Sequence, residues 1–214
     1  MKKRLREPVS GLTHLAGVLL AVVGLVVLLS TAAGRTDQLV GFGIFGLSLI
    51  SLYGASSLYH LLPLSPPAVA RLRRLDHMTI FVLIAGTYTP ICLLALDGSW
   101  RIGLLVLVWG LALCGVLLKL FWMGAPRPFS VALYLAMGWV AVVAAPVILE
   151  SLPTGGTAWL LAGGVVYSGG ALVYGFKWPD PVPGIFGFHE LWHLFVLAGS
   201  ACHFWVMLRY VAPL

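Results

Sequence analysis

Charge is the first thing this sequence has little of. Only 9% of its 214 residues are Asp, Glu, Lys or Arg, against 60% hydrophobic, whereas about 25% charged is usual for a soluble domain. A soluble globular fold is therefore excluded as the main body of the chain. Cysteine is scarce too: Cys92, Cys114 and Cys202 are dispersed in apolar stretches and never form a CxxC pair. That excludes a thiolate zinc site and a dithiol redox motif, and leaves the three as small apolar fillers. Long polar segments, internal repeats and low-complexity tracts are also absent, so no room remains for a second domain.

What is present is a succession of apolar runs. A membrane-spanning helix needs roughly 20 such residues, and seven stretches qualify: 12–31, 38–60, 78–97, 101–122, 130–149, 157–176 and 186–208. The expected fold is all-α, one seven-helix transmembrane domain over residues 1–214 with a short basic leader, 1–10. The start, "MKKRLREPVSGLTHLAGVLLAVVGLVVLLSTAAG", has the basic and apolar regions of a signal peptide. Its apolar run is nevertheless long enough to span, and it is expected to be the first transmembrane helix.

The net charge of +6 is an orientation signal rather than a nucleic-acid patch. Lys2, Lys3, Arg4, Arg6, Arg71, Arg73, Arg74, Lys119, Arg127 and Lys177 fall on one side of an alternating seven-span path; Arg35, Arg101 and Arg209 fall on the other. Basic residues near span ends mark the cytoplasmic side. The N-terminus is expected inside and the C-terminus outside, in a bacterial cytoplasmic (inner) membrane. No nucleic acid and no soluble protein partner is expected.

Polar residues inside a bilayer are costly and mark function by default. With this topology, His60 closes span two, Asp76 and His77 open span three, His189 and His193 open span seven, and His14 sits near the start of span one. All would share one leaflet. His189 and His193 are four apart, one turn along the same helix face. Catalytic zinc takes three protein ligands and a water, and His60 is the candidate third ligand at that depth. Ser56, four residues before His60, points the same way one turn deeper. Asp76 is placed to orient or deprotonate the water, or to fix the tautomer of a ligand histidine; it also suits the N-cap of span three. Ser56 can equally be a small packing residue. His14 and His77 read as structural or supporting groups. His203 is ten residues beyond His193, roughly 15 Å along the axis, too deep to share the metal.

His189, Glu190 and His193 also spell H-E-x-x-H, the zinc-protease pattern in which the glutamate acts as base. No downstream Asp-containing segment completes that site, and the candidate partners, His60 and Asp76, lie upstream. The protease reading fails on that point.

"SSLYH" at the end of span two, "LDHMTIFVLIAGTYTP" at span three, "FHELWHLFVLAGSACHF" in span seven and "EPVSGLTHLAG" before span one together resemble the hemolysin III family, within the progestin and adipoQ receptor group. The resemblance runs from about residue 7 to the C-terminus. It implies seven helices, an inside N-terminus and zinc near the cytoplasmic face, with ligands falling on His60, His189 and His193. Its serine and aspartate fall on Ser56 and Asp76, and Glu190 falls on a variable position. It further implies hydrolysis of a lipid amide, since eukaryotic relatives and the similar alkaline ceramidases are linked to cleavage of ceramide. Three functions stand open at this stage. They are a zinc-dependent hydrolase of a lipid amide or ester with a membrane lipid as substrate, a non-enzymatic sensor with structural zinc, and a cytolysin. The last is disfavoured because no span carries a polar stripe fit to line a wide pore.

Overall fold

In a computed structural model, which describes residues 5–214, the chain forms eight helices: α1 (Pro8–Thr31), α2 (Thr36–Leu61), α3 (Pro66–Leu94), α4 (Gly98–Phe121), α5 (Arg127–Gly138), α6 (Ala145–Ser151), α7 (Thr154–Phe176) and α8 (Phe188–Val206). Lys2, Lys3 and Arg4 of the basic leader lie outside the described residues. Six helices are long and apolar enough to cross a membrane, and α5 with α6 completes a seventh crossing if the bent pair counts as one. Among the described residues there is one isolated bridge, Val182 to Phe186, and no strand.

The outer helices turn small and polar residues inward and large apolar ones outward, as expected where lipid tails are as apolar as leucine, while Phe42 and Phe45 of α2 and Phe81 of α3 fill the centre. On α1 the buried stripe is Ser10, Gly11, His14, Gly17, Ala21, Gly24 and Leu28, while Leu19, Leu20, Val23 and Val26 are exposed. Gly17 is where this matters most. A Cβ there would lie 2.8 Å from Leu197 of α8 and 3.0 Å from Tyr53 of α2. The missing side chain lets α1 wedge between the two helices that carry the histidines. Around the bundle, α2 packs along both α1 and α3, α4 against α3, α8 against α1, and α7 against α8.

Two elements differ from the sequence expectation. α3 begins at Pro66 rather than near residue 78. Ser65 is its N-cap and prolines occupy its first turn, where a missing N–H costs nothing. The next residues, "AVARLRRL", are good helix formers but too charged to register as a span. Asp76 therefore sits in the interior of a helix, about three turns from its start, and is not its N-cap.

The fifth span is not one helix. α5 ends at Gly138, a 3₁₀ turn follows over Trp139–Val142, and α6 resumes bent by 56°. Pro146 accounts for the break: it has no N–H to donate and its ring excludes the carbonyl four residues earlier, that of Val142. Backbone groups freed inside a membrane need partners, and at the 3₁₀ turn before the break Tyr88 of α3 partners two of them. Its hydroxyl donates to the Gly138 carbonyl at 2.6 Å and accepts from the Ala141 N–H at 2.8 Å.

Candidate metal centre and lipid cavity

Three imidazoles meet at one end of the bundle. His60 comes from the last turn of α2, and His189 and His193 from the first two turns of α8. One ligand nitrogen from each lies within 4.8 Å of the other two, and the Nε2 atoms of His60 and His189 are 3.3 Å apart. Two nitrogens held 2.0–2.1 Å from a tetrahedral zinc are separated by about 3.3 Å. The donor set and its spacing fit such an ion, and His60, His189 and His193 could hold it. His60 and His193 are among the most completely buried side chains of the protein.

The first turn of α1 fixes these rings. His60 Nδ1 is hydrogen-bonded to Glu7 Oε2, and His193 Nδ1–H donates to the Ser10 carbonyl at 3.0 Å. Each bond settles the tautomer and leaves Nε2 to face the cluster, the usual role of groups behind metal-binding histidines. The hydrogen bond from His60 holds the Glu7 carboxyl below the usual glutamate range, against the opposing effect of partial burial. Glu7 is held in turn by the end of α2. Its N–H donates to the His60 carbonyl at 2.9 Å, and Arg6 donates to the Tyr59 carbonyl at 2.7 Å, so the terminal carbonyls that a helix leaves unpaired are satisfied.

Glu190 is committed elsewhere. Its Oε1 accepts from Ser10 Oγ at 2.6 Å and its Oε2 from the Gly187 N–H at 2.9 Å, capping α8. One oxygen docks α1 on α8 and the other caps α8, so the carboxylate is engaged in structural hydrogen bonds rather than presented as the base of an H-E-x-x-H site.

Beside the cluster opens a cavity of about 750 Å³. Its walls come mostly from α3, α5, α6, α7 and α8, with His14 of α1, Leu52 and Ser56 of α2 and Lys119 of α4. His14, Ser56, Asp76 and His189 line it. The structure thus brings Ser56 and Asp76 to the same space as the histidines. Ser56 Oγ and both ring nitrogens of His14 are buried without a protein partner, and the His14 ring stacks on His193 at 3.7 Å. Asp76 is buried, and its Oδ2 is 3.5 Å from His77 Nδ1. The cavity continues between apolar walls past Tyr88 and Trp139 to Thr154, and reaches His203. His203 does not belong to the three-histidine group.

Glu7 and Ser10 were not among the candidate residues of the sequence. Their signal was present in "EPVSGLTHLAG", where Glu7, Ser10 and His14 recur at helical spacing. Replacing Glu7 by glutamine removes the charged acceptor behind His60, and metal affinity is expected to fall 10–100-fold. Competition with a fluorescent zinc chelator measures it; unchanged affinity would show that Glu7 merely tethers α1.

The chain matches the family described as "Haemolysin-III related" over residues 2–204. It belongs to the haemolysin-III family. It is 39% identical over 210 residues to "Hemolysin-3" of Bacillus cereus, covering 97% of this chain and 92% of that one. To "Hemolysin-3 homolog" of Bacillus subtilis it is 40% identical over 206 residues, covering 95% and 93%. More distantly, it is 26% identical over 214 residues to "Adiponectin receptor protein" of Drosophila melanogaster, covering 90% of this chain and 48% of that one. This haemolysin-III protein is thus a multi-pass integral membrane protein related to the receptor group.

Proposed function

We propose that this protein is a zinc-dependent membrane hydrolase acting on an amide or ester bond of a lipid, in the manner of a ceramidase. One observation carries the reading: a three-histidine cluster adjoins a cavity of about 750 Å³ that begins with polar groups and continues between apolar walls. Three protein ligands is the count of catalytic zinc sites, and four that of structural ones. Among the described residues, three side chains make up the metal-capable group.

A zinc ion held there would supply Lewis acidity, lowering the pKa of water towards about 7 and polarising a carbonyl. The remaining tasks fall to the chain. Asp76 takes the proton from the attacking water and returns it to the leaving group. Ser56 Oγ, buried and free of protein partners, donates to the carbonyl oxygen as charge develops on it. Glu7 and Ser10 hold His60 and His193 in the tautomers that direct Nε2 inward. Apolar walls take the acyl chain and exclude bulk water from the reacting bond.

Purified protein should release fatty acid from at least one member of a panel of ceramides, N-acyl amides and phospholipids. Release from none of them with zinc bound would leave the sensor reading in its place.

We also infer, from the ten-to-three division of Lys and Arg, that the metal end faces the cytoplasm. A cysteine at Ser65, the N-cap of α3 at that end, is expected to react with a membrane-impermeant maleimide only after cells are permeabilised, in a background lacking the three native cysteines. Labelling of intact cells would invert the orientation.

A further inference from the structure

Lys119 was counted above as an orientation charge, and such a lysine snorkels its ammonium into water. This one does the opposite. It sits in the last turn of α4, is 1% exposed, and donates from Nζ to Ser130 Oγ at 2.5 Å. An ammonium has three donors, so one neutral hydroxyl leaves it undersupplied. Among the described residues no carboxylate lies within ion-pair range of it. The neighbouring charge that acts on it is a second cation, Arg73 of α3. Arg127, at the start of α5, lies 4.7 Å from the centre of the Tyr174 ring and donates to the Tyr174 carbonyl at 3.4 Å. It too lacks a carboxylate partner. All three cations line the cavity that Ser56, Asp76 and His189 line. Of the three, Lys119 is buried, Arg127 half-buried and Arg73 exposed. A buried cation without a counter-charge is unfavourable in an apolar medium, and with two further cations on the same space the three form a site for an anion.

Resting on the reading of this cavity as a lipid-hydrolysing site, we propose that Arg73, Lys119 and Arg127 bind the phosphate head of an acyl lipid whose chain occupies the apolar part of the cavity. The substrate class is then a phosphate-bearing acyl amphiphile rather than a neutral one. A phosphate monoester brings a charge near −2 and three acceptor oxygens, which answers cations presented from three different helices. A carboxylate brings one charge and two oxygens. A neutral lipid head would leave buried Lys119 with Ser130 alone. Ser130 positions Lys119, and Tyr174 positions Arg127, so the donors are arranged before the lipid arrives.

The test is binding, measured by native mass spectrometry or calorimetry in maltoside detergent, with 1-oleoyl lysophosphatidate, oleate and 1-monooleoylglycerol as probes. Wild type should bind lysophosphatidate at least about tenfold more tightly than monooleoylglycerol, the loss expected for a charge-assisted hydrogen bond. The double variant Lys119→Gln, Arg127→Gln should lose that preference while still binding monooleoylglycerol, which also shows that it folds. Lys119→Arg should retain the preference. The double variant His189→Ala, His193→Ala should retain it too, so that failure of the metal site and failure of this subsite are told apart. Equal binding of lysophosphatidate and monooleoylglycerol by wild type would overturn the proposal. So would a preference that survives loss of Lys119 and Arg127, or oleate binding as tightly as lysophosphatidate.

Discussion

Replacing His189 and His193 together by alanine is expected to take zinc from about one ion per chain to none, by elemental analysis of purified protein. Two of the three imidazoles that meet within 4.8 Å would be gone, and His60 alone cannot hold the ion. Each single variant keeps two ligands and should bind far more weakly than wild type. The double variant loses the hydrogen bond from His193 to the Ser10 carbonyl, the stacking of His14 on His193 and the contact of His189 with His60, so some stability should be lost, while the apolar packing of the other helices keeps the fold. A monodisperse, helical double variant without zinc is the expected result. Full zinc occupancy in it would sink the assignment of His60, His189 and His193 as ligands.

Asp76→Asn is expected to leave the fold and most of the zinc in place while turnover drops 10²–10⁴-fold, the usual loss on removing a general acid or base. The substitution is nearly isosteric, and Asp76 is not among the metal-capable group. Ser56→Ala should cost less than Asp76→Asn, since it removes one hydrogen bond to the developing charge. Glu190→Gln is the control. It disturbs the cap on α8 and the bond from Ser10, so thermal stability should fall slightly with little change in turnover. Loss of activity in Glu190→Gln with Asp76→Asn unaffected would restore the protease-like assignment of the base.

The histidine cluster was legible in the sequence because two separate regularities converge on it. The alternation of successive apolar spans sets which span ends share a leaflet, and the four-residue spacing of His189 and His193 sets a common face. The site's supporting shell was less legible. Glu7 and Ser10 act through partners far along the chain, His60 and His193, and no local pattern announces a hydrogen bond of that kind. The charge count also misled at Lys119. It is correct as a span-end cation, but counting cannot distinguish an ammonium in water from one turned inward. α3 was read short because hydropathy detects the membrane, whereas the helix continues beyond it through "AVARLRRL". The break in the fifth span was marked by Pro146, but where two of the freed backbone groups find partners depends on Tyr88 in another helix.

That hydroxyl also couples two parts of the molecule mechanically. Residues 138–142 form part of the wall of the cavity, and Tyr88 ties that wall to α3 through the Gly138 carbonyl and the Ala141 N–H. The same helix carries Asp76 about three turns before Tyr88. Prising the wall outward to admit a bulky chain must either break both bonds or pull α3 along with it. Under the proposed function, entry of a lipid tail and placement of the carboxylate are therefore linked by a single tyrosine, and the latch on the doorway is built into the rod that holds the tool.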